Sequence, residues 1–149
     1  MTGTMEEKWA ALGADGDQGP HGGVTPHLSL SDGAAAVDFY KQAFGAEELM
    51  RMLADDGRRI MHGHLRINGA SVMLADHFPE YCGGAPASAP AGVTLHLQVD
   101  DADAWFDRAV AAGAKPVMPL DDMFWGDRYG QVEDPFGHRW SIGSPIRKS

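Results

Sequence analysis

Four histidines carry most of the chemistry this sequence could perform. His62 and His64 are separated by one glycine in Ile60-Met-His-Gly-His-Leu-Arg-Ile67. In an extended strand that spacing puts both imidazoles on one face, ~6–7 Å apart along it. His27 and His96 each open an alternating stretch, His27-Leu-Ser-Leu-Ser-Asp32 and His96-Leu-Gln-Val-Asp-Asp101, 69 residues apart. If His27, His62, His64 and His96 line one cavity, they could hold a divalent metal, Zn²⁺ or Fe²⁺, with Glu133 as an added carboxylate. The first reading is plainer: uncharged imidazoles lining a polar pocket and hydrogen-bonding a ligand, serines or one another.

A second stretch, Met123-Phe-Trp-Gly-Asp-Arg-Tyr129, places aromatics in a loop, where they are costly unless covered. Phe124 and Trp125 could stack on an apolar ligand while Arg128 pairs with a carboxylate or phosphonate. Against that, Trp125 could plug one end of the site and Arg128 could pair with Asp127 or Asp134. His21 and His77 are expected in solvent, and His138, beside a turn, is expected to be structural. Cys82 is the only cysteine, so no intrachain disulfide exists. It has no adjacent base to make it a nucleophile. No G-x-S-x-G elbow, P-loop or dinucleotide fingerprint occurs. A formal net charge of −9 argues against nucleic acid as a partner. No apolar run approaches the ~20 residues that span a bilayer. Met1–Gln18 lacks the basic start and apolar run of a signal peptide, and the expected location is the cytoplasm.

The elements that must position these residues come in two copies. Each alternating stretch leads into an Ala-rich helix, Ala34–Phe44 or Ala102–Ala112. Asp32 and Asp101 are suited to cap the helix starts, and Gly45 and Gly113 to end them. Asn68-Gly69 matches Phe136-Gly137 and Leu74 matches Ile142, each 68 residues on. The chain therefore reads as strand–helix–strand–strand–strand, twice. Expected strands are 24–30, 48–53, 59–67 and 71–76, then 93–99, 115–118, 128–133 and 138–143. The expected organisation is a disordered tail 1–23, a first βαβββ module 24–76, a linker loop 77–92, a second module 93–144 and a C-terminal tail 145–149. The fold class is α+β, with the two modules forming a curved eight-stranded mixed sheet.

Alternation then assigns faces. Leu28 and Leu30, then Met61, Leu65 and Ile67, then Val93, Leu95, Leu97 and Val99 form the helix-packing sets. Leu74 and Ile142 join them. Thr25, His27, Ser29, His62, His64, Arg66, Thr94, His96, Gln98, Met73 and Ser141 face the other way. Phe39, Tyr40, Phe44, Trp105 and Phe106 recur at helical spacing and belong to the core.

With those residues in place, the chain resembles a known family. Thr25-Pro-His-Leu, Asp38-Phe-Tyr-Lys41 with Phe44-Gly-Ala46, Met61-His62 and Asp134-Pro-Phe-Gly-His138 are similar to the glyoxalase/bleomycin-resistance/extradiol-dioxygenase, or vicinal oxygen chelate, superfamily. Phe124-Trp-Gly-Asp-Arg128 resembles its PhnB-like branch. The resemblance covers residues 24–144. It implies paired βαβββ modules, usually a homodimer, with small molecules held in cups of sheet. It also implies metal ligands on the first and last strands of each module, which here fall on Thr25, Met73, Thr94 and Ser141. Methionine is too soft and hydroxyls too weak for a strong divalent site.

The expected function is a small-molecule-binding protein of this superfamily that lacks the usual metal, with His27, His62, His64, His96, Phe124, Trp125 and Arg128 at the ligand. The alternative is a metal-dependent lyase, isomerase or dioxygenase using the four histidines. The sequence does not decide whether the chain is an enzyme, and it names no ligand.

Overall fold

The computed structural model describes Pro20 and residues 23–146. The expected tail 1–23, His21 included, lies almost wholly outside the described residues. Eight strands and two helices follow in order. They are β1 (His27–Leu30), α1 (Gly33–Phe44), β2 (Glu47–Leu53), β3 (Ile60–Ile67), β4 (Ala70–Asp76), β5 (Thr94–Gln98), α2 (Ala102–Ala112), β6 (Lys115–Asp122), β7 (Asp127–Glu133) and β8 (Arg139–Pro145). This is βαβββ twice, in an α+β fold. Hydrogen bonding divides the eight strands into two mixed sheets of four, ordered β1-β4-β3-β2 and β5-β8-β7-β6. No helix among the described residues is long and apolar enough to cross a membrane.

Each module is built by the same local chemistry. The carboxylates of Asp32 and Asp101 accept from Ala35 N and Ala104 N and close the helix starts. Gly45 ends α1 with φ 66°, a conformation costly for any residue with a Cβ. A second bond ties each helix start to its own sheet. Asp76, at the end of β4, accepts from Gly33 N at 2.7 Å, and Ser144, 68 residues on, accepts from Ala102 N at 3.2 Å.

The core lies between the sheets and the helices, which pack on each other. Tyr40, Phe44, Leu65, Leu74, Trp140 and Ile142 are among its fully buried members. One polar cluster inside it joins the modules. Tyr40 on α1 donates to Asp134 Oδ2 at 2.5 Å, Trp140 Nε1 donates to the same oxygen, and Asp134 Oδ1 accepts from Phe136 N and His138 N. A buried carboxylate survives only when so fully bonded. Arg108 on α2 adds a second tie by donating to Gln42 O and Lys41 O in the last turn of α1. A cation there also complements the helix dipole.

Two expected core positions and one strand end are corrected. Ile60, not Met61, is fully buried, because the β2–β3 register skips a residue between the pairs Met52–His62 and Leu53–Ile60. Val93 is exposed, because β5 begins only at Thr94. The strand expected at 115–118 runs on to Asp122 despite Pro116 and Pro119. β6 is an edge strand, where proline is tolerated.

Candidate functional site

The face of each sheet turned away from its helix carries the polar residues that alternation placed there. On the first sheet one row crosses all four strands in register: His27 beside Met73, Met73 beside His64, His64 beside Met50. His62 stands beside Met52 in the next row. His62 and His64 are buried, and His64 Nε2 lies 2.9 Å from Ser71 Oγ. Burial, with help from the nearby imidazoles of His27 and His64, holds the His62 imidazole below its ordinary pKa.

The second sheet repeats the row with different chemistry: His96, Ser141, Gln131 and Met118. His96 is held at both nitrogens, with Nδ1 2.8 Å from Ser141 Oγ and Nε2 2.8 Å from Gln98 Oε1. Its ring stacks on Tyr129, which meets Trp125 edge-on. Gly143 makes that position possible, since a Cβ there would come within 3.1 Å of the His96 ring.

Sequence reasoning placed the four histidines together, but the structure brings only three of them onto one sheet. His96 stays on its own sheet because each module keeps its first-strand histidine. No three His, Cys, Asp or Glu side chains converge as a metal set among the described residues. The proposed set of His27, His62, His64 and His96 therefore does not form one metal site. Glu133 lies in register with Arg139 on β8, away from the histidines of the first sheet. The usual ligand positions fit a divalent metal no better. Met73 is a thioether, the Ser141 hydroxyl is bonded to His96, Thr94 is exposed, and Thr25 precedes β1.

Arg128 is also relocated. It lies on the helix side of β7 and pairs with Asp103 Oδ2 at 2.8 Å and Asp122 Oδ1 at 3.1 Å, not with Asp127 or Asp134. These two carboxylates raise its pKa further and hold its guanidinium away from the open face. Phe124 is 97% exposed at the β6–β7 turn, packed edge-on against Trp125. His138 Nε2 lies 3.2 Å from Ser29 O on β1. His77, expected in solvent, is half-buried with Nε2 2.8 Å from Ala85 O.

A cavity lies between the modules. The edge strands β1 and β5, the segment 88–91 and the start of β8 line this open cavity of about 410 Å³. Pro26, Leu28, Pro90, Val93 and Leu95 give it apolar walls, while His27, His138 and Arg139 supply the polar end. The Arg139 guanidinium makes no hydrogen bond or ion pair among the described residues. Sequence reasoning missed Arg139. Its position opposite Thr94 depends on β5–β8 pairing, and its place in a cavity depends on which edges face each other. A second cavity of about 270 Å³ on the same seam is lined by both Ser71, the partner of His64, and His96.

With this geometry described, the class of protein is defined. Residues 25–142 match the Glyoxalase/Bleomycin resistance protein/Dioxygenase superfamily, and the chain belongs to it. An uncharacterized protein of Mycobacterium tuberculosis (strain ATCC 25618 / H37Rv) is 52% identical over 129 residues, spanning 84% of this chain and 75% of that protein. The crystal structure of TioX from Micromonospora sp. ML1 is similar at 32% identity and a TM-score of 0.64, over 86% of this chain and 99% of that one. The PhnB protein from Bacillus cereus, at 21% identity and a TM-score of 0.65 over 83% of this chain and 99% of its own, shares the fold.

Proposed function

We propose that the protein binds a small organic anion in the cavity between its modules, acting as a homodimer and without the divalent metal usual to its superfamily. The observation that carries this reading is the Arg139 guanidinium, without a side-chain partner among the described residues, in the lining of a largely apolar cavity of about 410 Å³. That volume falls in the range of small-molecule sites, and a few convergent polar groups among apolar walls are their usual composition. In a chain of net charge −9, an arginine without an acidic partner among the described residues, in a cavity also lined by two histidines, is a local reversal of sign. A planar guanidinium suits a carboxylate or a phosphonate, and the apolar walls suit a compact hydrocarbon or aromatic body. The open faces carrying His62, His64, His96 and Trp125 extend the site beyond the cavity.

The test is calorimetric titration with benzoate and phenylphosphonate, with benzamide as the uncharged counterpart. The anions are expected to bind and benzamide to bind at least tenfold more weakly. Arg139→Ala should lose at least tenfold in affinity for the anions, which is about 1.4 kcal/mol. Equal binding of benzamide, or an Arg139→Ala protein indistinguishable from wild type, would overturn the reading.

A further inference from the structure

The cavity between the modules is walled partly by main chain. Pro26, His27, Leu28 and Ser29 all line it, four residues in succession at the start of β1. Side chains alternate between the two faces of a strand, and Leu28 is buried in the core. An unbroken run can therefore line one cavity only through the edge of the strand. We propose that this edge recognises an amide beside the carboxylate, so that the ligand is an N-acyl amino acid. The inference rests on the anion reading above and adds to it the class of anion.

Pairing with β4 fixes which groups face outward. Met73 N donates to Pro26 O, and His77 N donates to Leu30 O. The N–H and C=O of one strand residue point to the same side, and those of the next residue point to the other. Pro26, Leu28 and Leu30 thus turn their main-chain groups to β4. His27 and Ser29 turn theirs to an edge that no strand covers. Ser29 O has His138 Nε2 at 3.2 Å. The His27 N–H, the His27 C=O and the Ser29 N–H have no protein partner among the described residues. Ser88, Ala89 and Ala91, in the segment that also lines the cavity, likewise make no main-chain hydrogen bond among the described residues.

Main-chain donors and acceptors left unpaired beside apolar walls call for a ligand of matching polarity. A bare carboxylate answers the N–H groups and Arg139, but it brings no donor to the His27 carbonyl. An acylated amino acid brings one. Its N–H can donate to His27 O while one carboxylate oxygen accepts from His27 N–H, the double exchange of a hydrogen-bonded antiparallel pair. The other carboxylate oxygen is left for the Arg139 guanidinium, which lines the same cavity. A free ammonium in place of the amide would set a second cation in a largely apolar space beside Arg139. The acyl group instead lies against Leu28, Pro90, Val93 and Leu95.

The experiment uses the unaltered full-length chain, so no variant has to fold. Hippurate is titrated beside 3-benzoylpropionate, which has the same length and charge but a methylene in place of the N–H. Hippurate should bind about fivefold more tightly or better, the range of one neutral hydrogen bond. N-acetylphenylalanine should likewise bind at least fivefold more tightly than phenylalanine. In protein carrying ¹³C at the main-chain carbonyls, the His27 signal should move further with hippurate than with 3-benzoylpropionate. Equal affinity of hippurate and 3-benzoylpropionate, both binding, overturns this inference and leaves the anion reading standing. So does tighter hippurate binding with an unmoved His27 carbonyl, or phenylalanine binding as tightly as its acetylated form. Binding of none of these anions overturns both readings.

Discussion

At the scale of single residues, His62 is the group whose chemistry the fold has changed most on the open face. It is buried, and its neutral form is favoured by that burial and then by His27 and His64. A histidine whose folded pKa lies below its unfolded value takes up protons more readily when unfolded, so acid favours unfolding. The stability tied to a neutral His62 is therefore full above the ordinary value of 6.5 and is lost as pH falls through the lowered folded value. His62→Gln keeps polarity and removes the titration. Urea midpoints for wild type should fall more steeply than those of His62→Gln as pH drops below 6.5. Parallel pH profiles for the two proteins would show that His62 is protonated as easily folded as unfolded. The residue scale also shows where local reasoning ends. Arg128 takes carboxylates 25 and 6 residues away, Asp103 and Asp122. Sequence suggested Asp127 and Asp134, although Asp122 is as near in the chain as Asp134, because the β6–β7 pairing that sets Asp122 opposite Arg128 is not a local signal.

At the scale of elements, the sequence was readable wherever the chemistry is local. Asp32, Asp101, Gly45 and Gly113 cap helices through bonds spanning a few residues, so residue type alone announces them. Strand faces were readable because alternation is a property of one strand, and His27, His62, His64 and His96 lie on the sides it assigned. Ile60 in place of Met61 was not readable, because the register skip belongs to the β2–β3 pair. Nor was the seam at which Arg139 and His27 line one cavity, which depends on how the two modules pack. Asp76 and Ser144 are the repeat's less visible element-level device, each tying a helix start to the last strand of its module. They are not equivalent in strength. Asp76 is a buried carboxylate accepting from both Gly33 N and Ile60 N, whereas Ser144 accepts from one N–H at 3.2 Å. Leaving a buried donor unpaired costs about 1–3 kcal/mol. Asp76→Ala should therefore cost about 3 kcal/mol in denaturant unfolding and Ser144→Ala about 1 kcal/mol. Equal losses would mean that the Ile60 bond contributes nothing and that β3 is held at its start by packing alone.

At the scale of the whole molecule, the two halves differ in how much they cover. The first sheet buries His62, His64 and Met52 on its open face, while the second leaves its outer edge in water. Val117 and Met118 on β6 and Phe124 and Trp125 at the following turn are all exposed, Phe124 to 97% and Trp125 to 50%. These apolar groups follow one another along an unpaired edge strand, an arrangement that monomers usually blunt with charge or cover. Aromatic side chains are also the residues on which interfaces most depend. A second copy related by a two-fold axis would cover the edge on both chains at once, because such an interface uses the same patch twice. Wild-type protein should therefore scatter light as a dimer at tens of micromolar. Phe124→Ser with Trp125→Ser should shift it toward monomer by at least tenfold in dissociation constant while leaving the far-ultraviolet circular dichroism unchanged. Both residues lie outside the buried core, so the double variant should fold. A single-chain mass for wild type, or a dimer that the double substitution leaves intact, would place the contact elsewhere or remove it.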